Sequence, residues 1–120
     1  MSVWTWLGVA LLGGVGANAR FLVHSVVAER AAGVFPLGTL VVNASGSLLL
    51  GLLAGLSLSG DALVLAGTAT LGSYTTFSTW MIETWRLGED GRRWLALLNV
   101  LVSLGLGVGA VALGRWIARG

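Results

Sequence analysis

No cysteine occurs among the 120 residues, so the chain has neither a disulfide framework nor a thiolate metal site. There is one histidine, His24, and no cluster of side chains spaced to hold a metal. Ser78 has no evident base, and no phosphate-cradling loop is present. An enzyme is not expected. Charge is also scarce: 10% of the residues are ionic, against about 25% in soluble domains. The seven arginines form no basic run, which argues against nucleic-acid binding. Met1 to Trp4 carry no basic side chain and no clean cleavage site follows, so no secretory leader is expected.

What remains is oil. Apolar residues make up 56% of the chain and fall into four segments, at about residues 3–28, 37–58, 62–85 and 95–117. Each is close to the ~20 residues that cross a bilayer core. The expectation is one all-α, multi-pass membrane domain spanning residues 1–120, with no soluble domain attached. Pro36, the only proline, opens the second segment, where its missing N–H is no loss, and Asp61 is placed to cap the third. Trp4 and Trp6 suit a headgroup boundary.

Four spans put both termini and the turn at residues 59–61 on one side. Arg115 and Arg119 lie there, with Arg30, Arg86, Arg92 and Arg93 opposite. That bias is weak. Two readings stay open: a single orientation set by the two extra charges, or insertion both ways, which permits an antiparallel dimer.

The polar residues inside the spans are few and aligned. Gly72-Ser73-Tyr74-Thr75-Thr76-Phe77-Ser78-Thr79-Trp80 places five serine and threonine hydroxyls, beside the Tyr74 phenol, in the middle of the third segment. Polar groups in hydrocarbon must find partners, so this cluster faces protein, an ion or a wet cavity. An interruption at Gly72 and Ser73 would free carbonyls to hold a cation. On the second segment Thr39, Asn43, Ser47, Gly51 and Gly55 share a face, and on the fourth Asn99 and Ser103 do. Ser47 reads as helix glue, whereas the Asn43 amide has several hydrogen bonds to satisfy at mid-span. Gly51 and Gly55 form a small-residue packing motif. Arg20 is the one cation inside a span, and no carboxylate lies deeper than Glu83. Donors and a cation without a buried carboxylate favour an anion or neutral solute over a proton or metal ion. Arg20 reads equally as a snorkelling residue or as part of an aqueous vestibule. Phe77 and Trp80, three apart, share a side; their ring edges are positive, although aromatic residues at that spacing usually pack.

The runs at residues 13–20 (GGVGANAR), 38–47 (GTLVVNASGS) and 75–79 (TTFST) resemble the Fluc (CrcB) fluoride channels, in order and spacing over essentially the whole chain. The resemblance implies four-helix subunits with the third helix broken at mid-membrane, paired as antiparallel dual-topology dimers in the cell membrane. It implies passive export of fluoride along two pathways at the subunit interface. It also implies a central structural sodium ion (Na+), held by main-chain carbonyls that match Gly72 and Thr75. Asn43 matches the pathway amide, Phe77 the first of two lining aromatics and Arg20 the vestibule arginine. Trp80 stands where a second phenylalanine is usual, Ser73 where a glycine is common, and Asn99 where many members have tyrosine. Ser103 fits a hydroxyl on the fourth helix. Some organisms carry two family copies that pair, so the partner is a second copy or a sister subunit, and a non-conducting partner role is an alternative. A small dual-topology multidrug exporter is another, but it calls for a glutamate within the first segment, which this chain lacks.

Overall fold

The computed structural model describes residues 1–120, all helix and connections without strands. Helix α1 spans Val3–Arg30, α2 Leu37–Gly55, α3 Gly60–Leu63, α4 Gly72–Tyr74, α5 Ser78–Glu89 and α6 Arg93–Arg119. A π-helical stretch, Val64–Leu71, joins α3 to α4. Three helices, α1, α2 and α6, are long and apolar enough to cross a membrane.

α1 begins where the Ser2 hydroxyl accepts the Thr5 N–H at 3.2 Å, satisfying one of the donors a helix start leaves open. Arg30 closes it, a cation at the negative end of the helix dipole. Asp61 does not cap the third segment as its position suggests. Its carboxylate accepts the Thr5 hydroxyl at 2.9 Å and so ties the start of α1 to α3. α2 ends at Gly55, earlier than its apolar run, because Ser57 turns into positive φ.

Packing depends on glycine. A Cβ at Gly51 would overlap the Val111 carbonyl, and one at Gly114 would overlap the Leu48 carbonyl, so α2 and α6 lie backbone to backbone. At Gly16 a Cβ would strike Ser73 and the Thr70 carbonyl, where α1 crosses the π-helical stretch. The small core of Val42, Leu71 and Tyr74 sits between α1, α2 and the third segment, and the Tyr74 and Ser45 hydroxyls meet at 2.8 Å.

Most large apolar side chains point outwards, among them Leu11, Phe21, Leu101 and Val108. In water that surface would aggregate; against lipid tails it is at home. Trp4 and Trp116 stand exposed at one end of the bundle, Trp85 and Trp94 at the other, as expected of side chains at two headgroup boundaries. The molecule is an integral membrane protein.

The third segment is where the chain departs from a plain helix. The π-helical stretch carries bonds from residue i to i−5, such as Gly72 N–H to the Gly67 carbonyl. The helix then stops, at Thr75–Phe77 and not at Gly72–Ser73 as the glycine suggests. Gly72 and Ser73 stay helical, while Thr75 is extended at φ −80° and ψ 159°. The chain re-enters a helix at Ser78, where the Thr76 hydroxyl accepts the Thr79 N–H at 3.2 Å.

Candidate functional site

The interruption is held by a residue on another helix. Asn43, on α2, accepts the Thr76 N–H on Oδ1 and donates from Nδ2 to the Thr76 carbonyl, both at 2.8 Å. The amide thus replaces the two partners that a continuous helix would have offered this peptide. One of its two N–H groups is spent and one is left.

Two of the serine and threonine hydroxyls at the break are spent on their own backbone. Ser73 donates to the Ala69 and Thr70 carbonyls, and Thr75 to the Leu71 carbonyl at 3.0 Å. Thr76 donates to the Thr79 hydroxyl. The carbonyls of Gly72 and Thr75 are different: no N–H or hydroxyl of the chain donates to either. Both residues line an open groove of about 540 Å³, together with Asn43, Ser47, Phe77 and Trp80. Unspent carbonyl oxygens at a helix break are the donor set that suits a hard monovalent cation.

A second groove, also about 540 Å³, shares Asn43, Ser47 and Trp80 with the first and continues along α6 past Ser103 to Arg115. A third cavity lies on the other side of the break, lined by Arg20, His24, Thr39, Thr76 and Thr79. Arg20 forms no ion pair, and the one close approach of this kind in the chain is His24 Nε2 to the Glu83 carboxylate at 3.9 Å. The Thr39 hydroxyl in that region is buried and has no partner. The Asn43–Thr76 contact is therefore the septum between the Arg20 cavity and the two grooves.

Phe77 and Trp80 meet edge to face, with centroids 5.7 Å apart and planes at 84°. Phe77 is 70% exposed although it stands at the break. The Trp80 indole N–H reaches the Asn99 carbonyl at 3.4 Å, which fixes the ring against α6.

The side chains singled out from the sequence do not all meet at one place. Asn43, Phe77, Trp80, Gly72 and Thr75 converge on one groove, and Ser103 lies on the next. Arg20 is apart, beyond the septum. Asn99 lines neither groove. It is 1% exposed, donates to the Thr84 hydroxyl at 2.9 Å and accepts the Ser103 hydroxyl on Oδ1 at 3.5 Å. Its partner Thr84 was not singled out from the sequence. Its spacing of four from Trp80, whose carbonyl it bonds, was the available signal.

Comparison with known proteins identifies the family. The family model described as CrcB-like protein, Camphor Resistance (CrcB), matches residues 7–115. "Fluoride-specific ion channel FluC 2" of Mycobacterium bovis is 56% identical over 119 residues, covering 99% of this chain and 94% of that one. The protein of the same name from Mycolicibacterium paratuberculosis is 57% identical over 118 residues, covering 98% and 97%. "Fluoride-specific ion channel FluC 1" of Nocardia farcinica is 45% identical over 116 residues, covering 92% and 82%. These relatives are named as ion channels, not as enzymes. On a match that spans nearly its whole length, the chain belongs to the CrcB family.

Proposed function

We propose that the chain is a subunit of a fluoride channel in the cell membrane, through which fluoride leaves the cell passively, down its electrochemical gradient. The observation that carries this reading is the splinted break: a peptide held open by the Asn43 amide, beside grooves lined with hydroxyls and ring edges and without any carboxylate. Fluoride binds its water tightly, so a dehydrating path must replace that shell with donors at several shallow sites. The remaining Asn43 N–H and the edges of Phe77 and Trp80 provide them, joined by the Ser103 hydroxyl when it turns from the Asn99 oxygen 3.5 Å away. Arg20 supplies positive potential in a vestibule beyond the septum. Asn99 acts from behind the lining by fixing Trp80 and Ser103.

Two antiparallel copies complete the channel in this reading. The exposed Phe77 ring and the unspent carbonyls of Gly72 and Thr75 both call for a second surface. Two such carbonyl pairs, brought together across a two-fold axis, suit sodium. Bound there, sodium would add fixed positive charge and tie the two breaks together. The ion is structural and is not transported.

One observation favours pairing with a sister subunit. Beyond Ser103 the α6 groove is lined by Leu104, Gly107, Val108, Val111 and Ala112, a stretch without side-chain donors before Arg115. A partner with a more polar α6 would carry the better pathway, and this chain alone the poorer one. The test is fluoride efflux from vesicles, read with a fluoride electrode, for this chain alone and mixed with a sister subunit. Fluoride that stays trapped in both cases defeats the proposal.

A further inference from the structure

The grooves on either side of Trp80 share three residues, and their donors are not equally free. Asn43 has given one N–H and its oxygen to Thr76. Trp80 directs its only N–H at the Asn99 carbonyl. Ser47 is the third, and its hydroxyl makes no hydrogen bond within the chain. Thr39 on the same helix and Thr68 in the first groove also lack a partner, but of the three only Ser47 lines both grooves. Ser73 and Thr84 donate to the carbonyl one turn back, the usual resort of a hydroxyl in an apolar helix. Ser47 leaves the corresponding carbonyl alone and faces both grooves. Space is kept for a guest beside it: a Cβ built at Gly107 would stand 3.7 Å from Ser47 Oγ and touch nothing else. Gly107 is therefore not required for helix approach, unlike Gly51 or Gly114, and its missing side chain leaves a void next to an unspent donor.

Resting on the fluoride-channel reading above, we propose that Ser47 is an anion-binding residue at the junction of the two grooves, donating its hydroxyl to the small, strongly hydrated halide as it passes between Asn43 and Ser103. Three polar side chains line the α6 groove there: Ser47 with its free hydroxyl, Asn43 with its second N–H, and Ser103, whose hydroxyl rests on the Asn99 side-chain oxygen at 3.5 Å until an anion draws it away. In a dehydrated path an unpartnered hydroxyl is costly, and an anion is the partner that gains most from it. The same position explains why Ser47 lines both grooves: it serves the ion on arrival and on departure.

The test uses the full chain reconstituted in vesicles, in whichever pairing conducts, with fluoride as the probe. A hydrogen bond to a charged partner is worth enough that Ser47→Ala should slow efflux about tenfold or more. The double variant Ser47→Ala, Gly107→Ser returns a hydroxyl to the same void from α6 and should recover most of the rate. Gly107→Val, which leaves Ser47 intact but fills the void, should slow efflux as Ser47→Ala does. Assembly is checked for each by gel filtration. Wild-type rates in Ser47→Ala, or in Gly107→Val, overturn the proposal. So does a folded double variant that stays as slow as Ser47→Ala, because Ser47 would then act by packing alone. A wild-type protein that passes no fluoride is a separate result and defeats the channel reading itself.

Discussion

The side-chain amide of Asn43 pairs with both the N–H and the carbonyl of Thr76, each at 2.8 Å, across 33 residues of sequence. This makes Asn43 a splint as well as a donor. Asn43→Ala should abolish fluoride flux and also destabilise the fold, by about 1–3 kcal/mol for each orphaned group. Thermal unfolding in detergent, run beside the efflux assay, checks both. Lost flux with unchanged stability would reduce Asn43 to its pathway role.

Phe77 should behave differently. Its ring is largely exposed within the subunit and contributes little to its core. Phe77→Ile should eliminate flux while leaving the melting temperature and the elution volume near wild type. Unaltered efflux in that variant removes the ring edge from the pathway.

Sodium linkage follows from the unspent carbonyls of Gly72 and Thr75. A ligand that binds only the folded assembly stabilises it by mass action, about 1.4 kcal/mol for each tenfold rise above its dissociation constant. The melting temperature should climb as sodium replaces a large organic cation at constant ionic strength. A melting curve indifferent to sodium contradicts the assignment.

Asp61 provides a structural contrast. Its carboxylate accepts the Thr5 hydroxyl at 2.9 Å, and neither residue lines the two grooves. Asp61→Ala should cost about 1 kcal/mol of stability and leave flux per folded channel unchanged. A selective loss of flux in this variant would mean that α3 communicates with the pathway.

Local chemistry explains which of these features the sequence reveals. Long apolar runs mark α1, α2 and α6 because a span needs only length and oil. The glycines at 51 and 55 announce close packing because nothing else permits it. The break is displaced from Gly72 to Thr75–Phe77 for a reason outside the segment: Asn43 captures the Thr76 peptide, and no local propensity reports a partner on another helix. Asn99 and Ser103 share a face, yet one is buried against Thr84 and the other lines a groove. Ser47 reads as glue because unspent and spent hydroxyls look alike in sequence. Asp61 sits where a cap belongs, and only the fold brings Thr5 to it.

The central claim is that this chain conducts fluoride. The most direct measurement is a fluoride electrode outside vesicles loaded with potassium fluoride and carrying the purified chain, alone and with a sister subunit, after an ionophore releases the counter-charge. The account predicts a fast release of trapped fluoride that Phe77→Ile eliminates. Retention equal to that of protein-free vesicles, in every pairing, would contradict it.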